Sequence, residues 1–198
     1  MLQNELAILG TKSHPKIIRV IDLLEDKNNY YIVSEVVEGG ELFERLKVLE
    51  SFTEEQACDV IHQIMLGLNY LHLQSITHRD LKPENILLVS KELNNLELKI
   101  SDLGFAQKFN KDKEEMTLVL GSPLYMAPEL VNYEKYTEKV DVWSLGVITY
   151  QLLSGCTPFE DETIEKIDFN INNKKVKFAD TKEENWEDIS ESAKNFIR

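Results

Sequence analysis

The sequence predicts an α+β fold, with strands gathered early and helices dominating later. Three observations carry this. Residues 16–24 and 30–37 are rich in Ile, Val and Tyr and flank the polar cluster Glu25-Asp26-Lys27-Asn28-Asn29, the pattern of a β-hairpin. Residues 53–73 place Ala57, Val60, Ile61, Ile64, Met65, Leu68 and Leu71 at helical spacing. Residues 139–154 are apolar almost all round, through Val140, Val142, Trp143, Leu145, Val147, Ile148, Leu152 and Leu153, as in a helix buried on most sides.

The other elements follow in order. Residues 1–12 read as the end of a helix with a partial apolar face of Leu2, Leu6, Ile8 and Leu9, closed by His14-Pro15. No capping residue precedes Leu2, so the helix is expected to begin upstream. Gly39-Gly40 breaks the second strand, and a short helix is expected over 41–48. Thr53 and Gln56 form a capping box that starts the long helix. Short strands are expected at 86–89 and 98–101, joined by a polar turn at 91–95. Residues 105–128 show little periodicity and read as a long ordered loop. Gly155 and Pro158 stop the apolar helix, and 163–170 and 190–198 read as further helices. The acid-rich tract 180–191 reads as a solvated surface.

At 198 residues and 42% hydrophobic, the chain suits one domain with a real core or two small lobes. No window has the apolar length of a membrane span, and residues 1–10 lack the basic start of a signal peptide. A cytoplasmic protein, or a nuclear one, is the expectation. Cys58 and Cys156 have no ligand-spaced partners, which argues against a zinc site or disulfide and for two small buried side chains. The net charge of −13 argues against binding nucleic acid or anionic lipid, and would suit a basic peptide.

One stretch fits no core. His78-Arg79-Asp80-Leu81-Lys82-Pro83-Glu84-Asn85 is polar, charged or turn-forming at every position but Leu81. Charged residues on a loop between rigid elements point to chemistry. The order matches the protein-kinase catalytic loop, H-R-D-L-x-x-x-N. Three more motifs stand in family order: Asp102-Leu103-Gly104, Ala127-Pro128-Glu129, and Asp141-Val142-Trp143-Ser144-Leu145-Gly146. Across essentially its whole length the chain resembles a eukaryotic protein kinase of the serine/threonine type. The stretches Gly39-Gly40-Glu41-Leu42-Phe43 and Gly121-Ser122-Pro123 look most like the calcium/calmodulin-dependent and calcium-dependent group.

The resemblance implies a bilobal fold. Residues 1–37 would be the remnant of a truncated small lobe and the hinge, holding the helix with Glu5 and part of the sheet. Residues 38–198 would be a mostly helical large lobe, also cut at its C-terminal end. It further implies transfer of the γ-phosphate of ATP, with magnesium, to a serine or threonine hydroxyl of a protein or peptide. Asp80 would accept the hydroxyl proton, Lys82 would neutralise the moving phosphoryl group, and Asn85 and Asp102 would hold magnesium. Glu5 matches the helix glutamate that pairs with an ATP-binding lysine. Ser34 falls at the gatekeeper position, Glu35 to Val37 at the hinge, Glu41 at the ribose and Leu87 under the adenine. Glu41 and Glu84 match acids that bind an arginine of the substrate, which implies basic substrates, and Ser122 stands for the usual threonine beside the substrate. Arg79 is the type of arginine that pairs with a phosphate on the activation loop. Thr117 is the nearest acceptor, with Glu114 and Glu115 as alternative sources of negative charge.

The sequence departs from the family pattern in two ways. No G-x-G-x-x-G occurs, and no lysine-bearing strand precedes Glu5. The simplest account is a fragment with Met1 an internal methionine; the alternative is a short kinase-like module that binds a partner without catalysis. On either account the 198 residues alone are expected to be nearly inactive, and poorly soluble where the sheet is unpaired. Leu103 replaces the phenylalanine of D-F-G and keeps its apolar role. No EF-hand pattern is present, so any calcium sensor would lie elsewhere.

Overall fold

The structure is a computed structural model that describes residues 13–109, 116–178 and 186–198. The helix expected over 1–12, with Glu5, lies outside the described residues, as do Glu114, Glu115 and part of the tract 180–191.

The early hairpin forms from β1 (Val20–Glu25) and β2 (Tyr30–Ser34), antiparallel, with Glu25 opposite Tyr30. Asp26 shapes its turn. Its Oδ1 accepts from the amides of Asn28 and Asn29 at 2.7 and 2.8 Å, and its Oδ2 accepts from the Tyr31 hydroxyl at 2.6 Å. Ile21, Leu24, Tyr31, Ile32, Val33 and Val36 are all exposed. A two-stranded sheet with that much bare apolar surface has little stability of its own.

The helices then begin. α1 (Leu42–Leu49) is followed by α2 (Glu54–Leu73), whose capping box is formed by both Thr53 and Gln56 as expected. α2 buries Ala57, Val60, Ile61, Ile64, Leu68 and Leu71, but Met65 of the predicted face is exposed. Gln63 and Gly67 lie on the buried face instead. Gly67 is there because a Cβ would come within 2.7 Å of the Ile100 side chain. Gln63 is there because its amide is fully used: it donates to the Leu96 carbonyl at 2.9 Å and accepts from Lys16 Nζ at 2.8 Å.

β3 (Ile76–Thr77), β4 (Ile86–Leu88), β5 (Leu98–Ile100) and β6 (Gln107–Lys108) make two further antiparallel pairs, β3 with β6 and β4 with β5. Arg45 of α1 is buried and donates to the carbonyls of Ser90, Glu92 and Leu93 at 2.9–3.0 Å. It thereby pins α1 to the turn between β4 and β5. The span 105–128, expected to be loop throughout, contains β6 and a 3-10 turn at Pro123–Tyr125.

α3 (Pro128–Val131), α4 (Lys139–Ser154), α5 (Ile164–Asn173) and α6 (Glu191–Ile197) complete the described chain. α4 is buried along most of its length, with Lys139 and Val142 exposed, and ends at Gly155, whose φ of 86° only glycine adopts freely. One core joins α2, the β4–β5 pair and α4, through residues such as Ile64, Leu71, Ile86, Leu98, Ile148 and Leu152. A smaller cluster of Phe109, Met116, Ala127, Leu130, Tyr136 and Val140 sits beside it. No helix among the described residues is long and apolar enough to cross a membrane. The cysteines differ from expectation in burial: Cys58 is exposed and Cys156 is half-buried. Cys58 sits on the solvent side of α2, one position past the buried Ala57.

Gly39 passes so close to β4 that a Cβ would lie 2.3 Å from the Leu88 carbonyl oxygen, while its amide donates to that same oxygen at 2.8 Å. Backbone cannot yield as a side chain can. Gly39→Ala is therefore expected to destabilise the protein by about 1–3 kcal/mol, read from the midpoint of urea unfolding.

Candidate active site

The eight-residue loop 78–85 joins β3 to β4, and it is buried. His78, Asp80, Leu81 and Asn85 are almost without exposed surface, and Arg79 is 6% exposed. A polar segment survives inside a protein only when its groups are paired, and here most are, with Glu84 Oε2 the exception within the loop. His78 Nδ1 accepts from the Asp80 amide at 3.3 Å, and Nε2 faces the Ser101 carbonyl at 3.0 Å. The ring therefore carries its proton on Nε2. Arg79 Nε donates to the Phe105 carbonyl at 2.7 Å. The backbone at Arg79 has a φ of 71°, an unfavourable value for a side chain of this size.

What holds that conformation is Asp141, in the first turn of α4 and fully buried. Its Oδ1 accepts from the Arg79 amide at 2.9 Å. Its Oδ2 accepts from the His78 amide at 2.9 Å and lies 2.8 Å from His72 Nε2, at the last turn of α2.

Four predicted site residues come together. Asp80 Oδ1 accepts from the Ser122 hydroxyl at 2.9 Å, and its Oδ2 lies 3.2 Å from Lys82 Nζ and 3.1 Å from Asn85 Nδ2. Lys82 Nζ donates to Ser122 Oγ at 2.7 Å, and Asn85 Nδ2 also donates to the Asp80 carbonyl at 2.7 Å. Gly121 makes the approach possible, because a Cβ there would fall 2.8 Å from the Arg79 carbonyl oxygen. Asp102 joins through its neighbour: the Ser101 amide and hydroxyl both donate to the Asn85 carbonyl, at 2.8 and 3.0 Å. The Asp102 carboxylate is exposed, on a backbone with a φ of 55°, and Oδ1 accepts from the Gly104 amide at 3.2 Å.

The residues expected at the hinge and ribose run beside β4. Glu41 bridges to Leu87, and Leu88 bonds to Gly39 and Gly40. Glu35 Oε1 accepts from the Arg19 amide at 2.8 Å and pairs with Lys99 at 3.0 Å. Burial pushes the Glu35 carboxyl up, but those two donors together hold it below the ordinary carboxylate range. Ser34 is exposed and Val37 half-buried. Glu84 has a buried carboxylate oxygen, Oε2, with no hydrogen-bond partner. Burial, together with the nearby Glu84 charge, pushes the Tyr125 hydroxyl above the ordinary phenol range, and it donates to Gln151 Oε1 at 2.8 Å. Thr117 is exposed.

Three residues that matter to this geometry escaped the sequence reading. His72 was legible only as the end of a helix, and Arg45 and Tyr136 stood in no motif. Their partners are 69, 47 and 57 residues away in sequence, beyond any local pattern.

A buried carboxylate tied to a lysine, an amide and a hydroxyl thus stands in the loop whose order matches that of a protein kinase. The chain matches the protein kinase domain over residues 1–198 and belongs to the protein kinase family, in its serine/threonine branch. It is 40% identical over 197 residues to the calcium/calmodulin-dependent protein kinase cmkA of Emericella nidulans, covering 100% of this chain and 47% of that protein. It is also 40% identical to calcium/calmodulin-dependent protein kinase type 1 of Macrobrachium nipponense, covering 55% of it, and 42% identical to death-associated protein kinase 2 of Mus musculus, covering 52%. The chain spans about half the length of the curated relatives it matches.

Asp141→Asn would present an NH₂ where a carboxylate oxygen now accepts, and would remove the charge from the remaining bonds. It is expected to cost about 2–3 kcal/mol of stability, measured by chemical denaturation, with faster amide exchange at His78 and Arg79.

Proposed function

We propose that the protein carrying residues 1–198 transfers the γ-phosphoryl group of ATP to a serine or threonine hydroxyl of a basic protein or peptide. The observation that carries this is the set of direct bonds among Asp80, Lys82, Asn85 and Ser122. Asp80 accepts the hydroxyl proton, the hydroxyl oxygen bonds to the γ-phosphorus, and the bond from that phosphorus to the bridging oxygen breaks to release ADP. Lys82 sits where it can neutralise charge on the transferred group, and Ser122 keeps Asp80 aimed.

The donor set fits magnesium. Asn85 spends Nδ2 on Asp80, which leaves its amide oxygen to ligate, and Asp102 offers an exposed carboxylate. Magnesium is held through one or two protein oxygens plus phosphates and water. Among the described residues no cluster of three or more His, Cys, Asp or Glu competes as a metal site. Bound there, the ion would offset the negative charge of the ATP phosphates.

On this reading residues 1–37 belong to the small lobe and hinge and 38–198 to the large lobe. The backbone of Glu35 to Val37 binds adenine behind Ser34, over Leu87, with Glu41 at the ribose and Glu5 pairing the ATP-binding lysine. Glu84 supports a cationic substrate: a buried carboxylate oxygen without a partner is costly unless a guanidinium or ammonium reaches it. A second reading, a module that binds a partner and transfers nothing, is favoured by the exposed apolar residues of the β1–β2 hairpin.

The deciding experiment is transfer of labelled phosphate from magnesium-ATP to an arginine-containing peptide by the full-length protein. Asp80→Asn is expected to lower kcat by about 100- to 10,000-fold. Equal labelling by the variant would sink the catalytic reading, and partner binding with no labelling by either protein would favour the module. Glu84→Gln is expected to raise KM for the arginine peptide about tenfold or more, and to leave KM for an arginine-free peptide unchanged.

A further inference from the structure

Tyr136 lies on the connection between α3 and α4, outside every motif, and is 2% exposed. Its hydroxyl has two partners. It accepts from Arg79 Nη1 at 3.1 Å and donates to the Leu118 carbonyl at 2.6 Å. One O–H and two lone pairs allow both bonds at once. Its backbone adds two more: the Met116 amide donates to the Tyr136 carbonyl, and the Tyr136 amide donates to the Met116 carbonyl, both at 3.1 Å. Its ring packs with Met116, Phe109 and Val140 in the smaller core.

Residues 116–122 thus meet Arg79 at two points. Leu118 is reached through the Tyr136 hydroxyl, and Gly121 lies against the Arg79 carbonyl. Ser122, which bonds Asp80, is the last residue of that span, and Thr117 is exposed within it.

We propose that Tyr136 is a positioning residue of the phosphotransfer site. Its hydroxyl couples the Arg79 guanidinium to the Leu118 carbonyl and holds residues 116–122, with Ser122, against Asp80 without a phosphate on that span. A phosphate at Thr117 is then not required for order, because a neutral hydroxyl already links the arginine to the segment. This rests on the reading of Asp80 and its partners as a phosphotransfer site.

The test uses the full-length protein and Tyr136→Phe, which keeps the ring, its packing and the backbone bonds and removes only the hydroxyl. Amide exchange over 116–122 is expected to accelerate about tenfold, with the core amides of α2 and α4 unchanged. A similar fall in kcat, with KM for ATP unchanged, is expected. Wild-type protein treated with phosphatase is expected to keep its slow exchange over 116–122. Unchanged exchange in Tyr136→Phe, or loss of protection after phosphatase, overturns the proposal. If Tyr136→Phe does not fold, Arg79→Lys tests the same link from the other side, since a lysine cannot span both Phe105 and Tyr136, and exchange over 116–122 must again accelerate. Exchange that behaves as expected in a protein that transfers no phosphate supports the tether and counts against the catalytic reading alone.

Discussion

The Asp141 carboxylate has no exposed surface and serves three donors: the amides of His78 and Arg79 and the ring of His72. A carboxylate this deep costs several kcal/mol to desolvate unless its oxygens are well paired. Pairing with two successive amides is also what makes a positive φ at Arg79 sustainable. The constraint runs both ways. The loop needs Asp141 to keep its backbone turned, and α4 needs the loop to satisfy its buried charge. Asp80 comes next in the chain, so the direction of its side chain is inherited from that turn.

The rest of the site is built outward from this point by short bonds between segments remote in sequence. Ser122 arrives from the far side of the chain and bonds both Asp80 and Lys82. Gly121 permits the approach by having no Cβ. Asn85 closes the loop on itself through the Asp80 carbonyl and joins it to the strand ending at Ser101, beside Asp102. A polar network of this kind is rigid, because moving one member leaves others unsatisfied in a low-dielectric interior. The β1–β2 hairpin stands in contrast. It is attached through the Ile18–Ile100 backbone bond and the Glu35 pairing, and much of its apolar surface remains bare. The helices and the β3–β6 and β4–β5 pairs are therefore held by many contacts of their own, whereas the hairpin depends on few.

Much of this was legible in advance. The long helix, its capping box, the buried apolar helix, the early hairpin and the strands at 86–88 and 98–100 follow from periodicity, caps and turn signals, which are local properties, whereas the β3–β6 pair was not legible. The grouping of Asp80, Lys82, Asn85 and Ser122 followed from motif order. Local patterns failed where burial was decided by distant partners. Met65 sat at a buried spacing yet faces solvent, while Gln63 took an interior place because Leu96, Leu98 and Lys16 use its amide. Cys58 and Cys156 were expected inside as small apolar groups, and neither is fully buried. The loop 78–85 looked too polar for an interior and is nearly all interior, because its partners come from α2, α4 and the segments after Ser101.

By itself the sequence determined the main helices, the early hairpin and the family, and marked the candidate site residues, because helical periodicity, caps and motif spacing are written along the chain within a few residues of one another. The tertiary structure alone decided which groups hold that chemistry in place. Asp141 under His78 and Arg79, Arg45 over the β4–β5 turn, and Tyr136 between Arg79 and Leu118 are bonds across 18 to 63 residues of sequence. Their physical basis is the cost of leaving a polar group unpaired once it is buried, and that cost does not exist until the chain has closed around it.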